Sequence, residues 1–402
     1  MALRGNQSTA RALNRRLILD QLRRDGPMSR AAIAAAVGLS PAAITLVTAD
    51  LINEGLLTEC DALPGSSGRR PIPLDIDYGS RFSVGLKVTV GHVIGVVTNL
   101  ATRVLAEVEV PLTAHDPETV VVACAEASER LLESAGVSRD ALIGVGVALS
   151  GQVDAEAGIC RQVQRFGWRD VPIAALFANL VSVPVWIDND TNAFAVSQHL
   201  FGHGRGKRNI AAIALGLGVG AGLIVDGRLY RGTGGAAGEF GHSFDRAGRI
   251  CECGRDGCME TYCSDPGLIR TWVQREPSAA GKGPEDLNAA ADAGDPTARE
   301  ILRESGIRLG RHVAALVNVV DPEIIVFGGE GVRFGDHLFG PLRGVLAEVC
   351  YSGPPALAID LPETSWPRGA ATLAIQHFFN FEATGGFAPK SSEQSVSSLA
   401  IA

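Results

Sequence analysis

The stretch from His242 to Cys258 constrains this chain more than any other. It supplies His242 and then Cys251-Glu252-Cys253-Gly254-Arg255-Asp256-Gly257-Cys258. One imidazole and three thiolates make a complete tetrahedral donor set for zinc, and the two glycines let the backbone fold round an ion. Four protein ligands leave no coordination place for an activated water, so the spacing predicts a structural rather than a catalytic Zn²⁺. The other five cysteines, Cys60, Cys124, Cys160, Cys263 and Cys350, are scattered and read as small buried apolar residues. Clustered thiols in a cytosolic chain point to a metal before disulfides.

The 402 residues are enough for two or three domains, each with its own core. Apolar runs such as 210–215 fall far short of the ~20 residues that span a bilayer. The early arginines are not followed by an apolar stretch, so no secretory signal is expected. A cytoplasmic protein without membrane contact is the expectation. The net charge of −8 excludes a generally basic nucleic-acid binder, but it is unevenly spread. Residues 1–74 hold nine Arg against six Asp or Glu, a balance of +3, which leaves −11 for the remainder. A basic module on an acidic body suits DNA binding by one end; chance fluctuation in a short window fits equally.

Local signals in the first 75 residues give that module a shape. Leu13, Leu17, Ile18 and Leu22 recur at helical spacing, predicting a helix over about 10–24 that stops at Asp25-Gly26-Pro27. Ser29 caps a second helix, and Ser40-Pro41 opens a third that runs to about Asn53. Two helices joined by Gly38-Leu39-Ser40, then a strand at 55–58 and a returning strand at 72–74, read as a winged helix-turn-helix. From Phe82 onward, strands at 82–90, 93–97, 142–149, 183–187, 210–215, 221–225 and 323–327 alternate with helices, which is α/β architecture. The expected division is a winged helix-turn-helix with its linker over 1–75, an α/β body over 76–381, and a flexible tail over 382–402.

A second feature is Leu215-Gly216-Leu217-Gly218-Val219-Gly220-Ala221-Gly222. Alternate glycines suit close backbone approach to a phosphate, and suit a glycine-rich hairpin turn equally. Together with Gly238-Glu239-Phe240-Gly241-His242 and the cysteine run through Glu260, this stretch resembles the ROK family of repressors and sugar kinases. The resemblance covers about residues 10–380 and implies an actin-like, two-lobed, sugar-kinase-like fold behind the winged helix-turn-helix. It places a sugar pocket at Ser150, Gly151, Asn189, Asp190, Glu239, His242 and Glu260. Within that resemblance His242 turns one ring nitrogen to the metal and the other to a sugar hydroxyl. Asp190 takes the place of the kinases' general base.

Departures from the kinase pattern carry equal weight. The family kinases begin this domain with Asp-x-Gly-Gly-Thr, which holds metal and phosphates; here the segment is Gly85-Leu86-Lys87-Val88-Thr89-Val90-Gly91. Lys87 takes the Asp place, and a cation does not hold Mg²⁺. Leu217 replaces a hydroxyl residue and Gln198 replaces a frequent Glu. The expectation is a sugar-responsive transcriptional regulator, a repressor of carbohydrate genes, without kinase activity; an active ROK sugar kinase with an added DNA-binding domain is the alternative. On the recognition helix, Ser40, Ala42, Thr45, Leu46 and Thr48 are expected to face outward, with phosphate contacts from Arg15, Arg16 and Arg30. Arg69 and Arg70 read either as minor-groove contacts or as a solvated linker. So few cations imply a homodimer or homotetramer on paired operator sites.

Overall fold

The computed structural model describes residues 7–61, 72–360 and 365–379. Arg69 and Arg70, read as minor-groove contacts or a solvated linker, and the predicted tail over 382–402 lie outside the described residues.

Three helices, α1 (Gln7–Asp25), α2 (Arg30–Val37) and α3 (Pro41–Asn53), open the chain. Ser29 caps α2 by accepting from Ala32 N, and Gly38 ends it in the left-handed conformation. Ser40 caps α3 by accepting from Ala43 N, with Pro41 at its first position. These caps satisfy amide groups that a helix start leaves without partners, which is why the boundaries are legible in the sequence. Strands β1 (Met28–Ser29), β2 (Leu57–Glu59) and β3 (Pro73–Ile76) form an antiparallel sheet in the order β1-β3-β2. That sheet carries the head to Ile76, so the expected boundary at residue 75 cuts through a strand.

The first lobe is a five-stranded sheet. Strands β4 (Phe82–Val88), β5 (His92–Asn99) and β6 (Val104–Pro111) form a meander, followed by α4 (Pro117–Ala135) and β7 (Leu142–Leu149). A small antiparallel sheet, β8 (Gln152–Asp154), β9 (Ile159–Val163) and β10 (Trp168–Val171), then leads to α5 (Ile173–Ala178) and β11 (Val185–Asn189). The large sheet runs β11-β7-β4-β5-β6, with β11, β7 and β4 parallel. The alternation over 82–90 suggests one buried face, yet nearly all of β4 is buried. The cause is a C-terminal helix on the second face.

The second lobe starts with α6 (Asp190–Phe201) and a sheet made of β12 (Ile210–Leu215), β13 (Val219–Val225) and β14 (Arg228–Leu229). Helices α7 (Glu260–Cys263), α8 (Asp265–Arg275), α9 (Pro284–Asp292) and α10 (Pro296–Val320) follow. Then come β15 (Ile324–Gly328), α11 (Gly335–Val349) and β16 (Ala356–Ile359), and the sheet order is β14-β13-β12-β15-β16. Helix α12 (Ser365–Phe378) returns to the first lobe and packs on β4, β7 and α6. Gly85 and Gly146 are paired across β4 and β7, and a Cβ at either would strike the α12 backbone. Only glycine permits a helix to lie this close to a sheet.

The head is not an independent unit. Ile18, Leu22, Ile33, Ile44 and Leu51 share one apolar core with Leu100, Ile375 and Phe379 of the body. Arg23 of α1 donates to Leu200 O at the end of α6 (2.6 Å), and Arg205 donates to the carbonyls of Arg23 and Arg24 (2.5 Å each). Leu13 and Leu17, which help define α1 in the sequence, stay exposed.

Candidate functional site

Residue Asn189 ends β11 and caps α6, its carbonyl oxygen accepting from Thr191 N (2.9 Å) and Asn192 N (3.3 Å). Its amide donates to Gly151 O (2.9 Å), so the cap and the Ser150-Gly151 turn are tied together. This leaves Asn189 at most one free N–H for a ligand. Asp190, the first residue of α6, points into the cleft between the lobes, and both of its carboxylate oxygens are engaged. Oδ1 accepts from Thr191 N (2.8 Å); Oδ2 accepts from Ser150 Oγ (2.9 Å) and is ion-paired to Lys87. The two charged side chains are 11% and 15% exposed, so the pair is shielded enough to matter.

Lys87 as the partner of Asp190 is what sequence reasoning missed. The two residues are 103 positions apart, and only the β4–β7–β11 register brings them together. The residue in the place of the kinases' general base therefore has resident partners, an ammonium and a hydroxyl. The Lys87 ammonium also lies 5.4 Å from the centre of the Trp366 ring, which packs against Phe194. Neighbouring Asp188 is buried and holds Arg231 through two bonds of 2.8 and 2.9 Å, tying β11 to the second lobe. Arg165 makes a second tie, to Glu252 (2.8 Å) and Leu217 O (3.3 Å).

The glycine run has a packing reason. A Cβ at Gly222 would meet Thr191 O and Ala195 of α6, and one at Gly220 would meet Thr191 Oγ1. These glycines let α6 lie on β13. Gly216, at the turn, faces the Glu330 carboxylate. A carboxylate at this turn opposes a phosphate by like-charge repulsion. Gln198, which stands where the family often has Glu, is buried and donates to Asp360 (2.9 Å).

On the opposite wall, His242, Cys251, Cys253 and Cys258 each offer one ligand atom, all within 4.8 Å of one another. Cys251 Sγ lies 3.5 Å from His242 Nδ1, and Cys253 Sγ lies 3.6 Å from Cys258 Sγ. Zinc bonds of ~2.0 Å to nitrogen and ~2.3 Å to sulfur give tetrahedral edges of roughly 3.5–3.8 Å, so the donor set fits that ion. Gly257 makes the loop possible, with φ +86° and no room for a Cβ beside Arg246 O. Burial pushes the Cys251 and Cys258 thiols above their usual range.

The same histidine faces the cleft. Its Nε2 lies 3.5 Å from Glu239 Oε2, while Glu260 sits 3.5 Å from Nδ1 and accepts from Val219 N (3.3 Å). Glu239 is held above the ordinary carboxylate range by desolvation; His242 opposes this, and Asp190 and Glu260 add to it. His242 thus lies between Glu239 and Glu260, close to Asp190. Carboxylate acceptors beside an imidazole and the Lys87 ammonium suit a polyhydroxyl ligand.

On the head, Ser40, Ala42, Thr45 and Leu46 are exposed along the N-terminal half of α3. Thr48 is fully buried, donating to Ile44 O (2.8 Å), and accepts from Arg30 Nε (3.3 Å). Its assignment to the outward face is corrected: positions 44, 48 and 51 share one face of α3, the face that Ile44 and Leu51 bury. Arg30 pairs with Glu59 (3.0 Å) on β2. Arg15 makes two 2.6 Å bonds to Glu54 at the other end of α3, which removes it from the reading surface.

A family model described as the ROK family matches residues 83–376, and one described as winged helix-turn-helix DNA-binding matches residues 11–58. The xylose repressor of Bacillus spizizenii is 26% identical over 380 residues, covering 93% of this chain and 98% of its own. A crystal structure of a ROK family transcriptional regulator, a homologue of the Escherichia coli MLC protein, superposes with a TM-score of 0.80 at 25% identity, over 92% of this chain and 97% of that one. A ROK family glucokinase from Streptomyces griseus, in complex with glucose and AMPPNP, gives a TM-score of 0.65 at 27% identity, over 73% of this chain and 99% of that one. The glucokinase match spans a smaller share of this chain than the regulator match does. The chain belongs to the ROK family and is built as one of its transcriptional regulators, a winged helix-turn-helix head on a two-lobed, sugar-kinase-like body.

Proposed function

We propose that this protein is a carbohydrate-responsive repressor whose interlobe cleft binds a sugar and whose head releases or grips operator DNA in response. The observation that carries the reading is the Lys87–Asp190 pair. It fills the place where a kinase needs metal, phosphate and an unoccupied base, yet it leaves a donor beside an acceptor for a sugar hydroxyl. A hydroxyl entering between them accepts from Lys87 and donates to Asp190, which ties ligand binding to both lobes. Ser150, Gly151, Asn189, Glu239, His242 and Glu260 supply the remaining polar wall. Relatives named for xylose and complexed with glucose support an unphosphorylated aldose or amino sugar as the class.

His242, Cys251, Cys253 and Cys258 would hold one structural zinc ion per chain, which fixes the imidazole so that Nε2 faces the ligand. Residues 1–76 act as the reading head, with Ser40, Ala42 and Thr45 against base edges and Arg69 and Arg70 available for the minor groove. Hydroxyls and methyls form a thin recognition set, so the working form is a cytoplasmic homodimer or dimer of dimers on paired sites. Fluorescence anisotropy with operator DNA selected from the genome, across a panel of sugars, tests the response. A sugar that shifts operator affinity at least fivefold is expected, and no shift by any sugar overturns the reading. A coupled assay tests phosphoryl transfer: turnover of ~1 s⁻¹ or more, within the usual kinase range, would restore the enzyme alternative.

A further inference from the structure

Away from the cleft, behind the metal loop, lies a cavity of about 330 Å³ between residues 246–249, α8 and α10. Arg246, Arg249, Arg275 and Arg308 line it, against a single lining carboxylate, Glu304. In an acidic chain this is an unusual gathering of one sign. Two of the four cations are balanced, Arg308 by Asp245 and Arg275 by Glu304 (2.6 Å). Arg249 is buried, and its acceptors are all neutral: Thr261 O, Gly267 O, Thr271 Oγ1 and Gln274 Oε1 at 2.7–3.2 Å. Exposed Arg246 has no carboxylate partner among the described residues.

Tyr262 lies at the centre of this group. The Arg249 and Arg308 guanidiniums sit 4.2 and 4.7 Å from its ring centre, and Arg246 sits at 6.0 Å. Stacking on an aromatic face holds the guanidiniums in fixed planes, and Arg249 is held further by its four neutral acceptors. A further polar group lines the same cavity. Ser305 is 3% exposed, and its hydroxyl has no hydrogen-bond partner. A buried hydroxyl without a partner and a buried guanidinium without a counter-charge are both unfavourable on their own. An oxyanion in the cavity supplies the counter-charge that Arg249 lacks.

We propose that this cavity is a binding site for a small phosphorylated metabolite, separate from the interlobe cleft. Arginine forks match the oxygens of a phosphate in pairs, and the cavity has room for a short organic group beside it. Arg246 and Arg275 meet the anion first, since both reach the rim. Arg249 and Arg308, stacked on Tyr262, provide fixed positive charge behind them.

The test is calorimetric titration of the full-length, metal-containing protein at constant ionic strength, with inorganic phosphate, glycerol 3-phosphate and glycerol as probes. One site per chain is expected for both phosphate-bearing probes, and none for glycerol. Arg246→Gln should weaken that binding about tenfold, in line with the loss of one charge-assisted bond. Arg246→Gln with Arg275→Gln should remove detectable binding, while Arg270→Gln, an exposed arginine of α8 outside the cavity lining, should change nothing. Circular dichroism melts identify any variant that loses affinity by unfolding. Absence of binding to wild type, or equal binding in the double variant, overturns the proposal. If polyglutamate binds through the same arginines and the small probes do not, the surface docks an acidic protein and the metabolite site is refuted.

Discussion

The two ends of α6 differ in a way that explains how one helix can serve two sites. Its first residue, Asp190, sits in a polar, partly open network with Lys87, Ser150 and Thr191. Its last two residues are apolar and packed: Leu200 is buried, its carbonyl accepts from Arg23, and Phe201 joins the core of the head. Hydrogen bonds and ion pairs at the first end can be exchanged for those of a ligand at little net cost, because each lost bond is replaced. Close packing at the second end has no such freedom, so a shift of the helix is passed on to α1. Twelve residues of helix span roughly 18 Å, which is the distance the signal must cover. On the proposed function, sensitivity belongs to the polar end and transmission to the packed end.

The largest effect is expected from disrupting the metal ligands. Cys258→Ser should abolish stoichiometric zinc by metal analysis and lower stability by more than about 3 kcal/mol, since a structural site contributes folding free energy directly. A variant that keeps its melting temperature without metal would detach the loop from the polar end altogether.

Next comes Asp190→Ala. Removing one partner of a shielded pair leaves Lys87 uncompensated, so about 2 kcal/mol of stability should be lost along with the sugar response. Adding Lys87→Met to Asp190→Ala should recover most of the stability but not the response. If denaturant unfolding finds the single variant as stable as wild type, the pair is not formed in solution.

A smaller change is expected at the packed end. Arg205→Gln removes the bonds to the Arg23 and Arg24 carbonyls. Operator affinity without sugar should move less than about threefold, a difference of well under 1 kcal/mol. The sugar-induced shift should shrink several-fold. An unaltered shift in anisotropy titrations would mean that α6 does not carry the signal.

The smallest effect distinguishes two threonines one turn apart. Thr45→Ala should weaken operator binding by a factor of about 3–5 at unchanged melting temperature, consistent with one lost polar contact to DNA. Thr48→Ala should instead lower the melting temperature, because its hydroxyl is buried and bonded to Ile44 O and Arg30. The reverse pattern would place α3 in the groove by another face.

Much of the head and of the metal loop is legible in the residues themselves. Ser29 and Ser40 mark helix starts through contacts with residues three positions on, and local contacts leave local signals. The ligand cluster is almost as local, three of its four members lying within eight residues. Other features are invisible along the chain for physical reasons. Strand β4 is buried on both faces because α12, some 280 residues later, lies on Gly85 and Gly146. Arg15 reads as a phosphate contact by its position on α1, but Glu54, beyond the end of another helix, holds it.

The sequence alone therefore determined the His242, Cys251, Cys253 and Cys258 cluster that could hold a metal, the capped helices of the head and the family to which the chain belongs, since each rests on residue types at short spacing. Tertiary structure alone decided that Lys87 neutralises Asp190, that Thr48 turns inward, and that head and body share one core. Ion pairs and core contacts between distant segments depend on how sheets and helices register in space, and no spacing along the chain encodes that register.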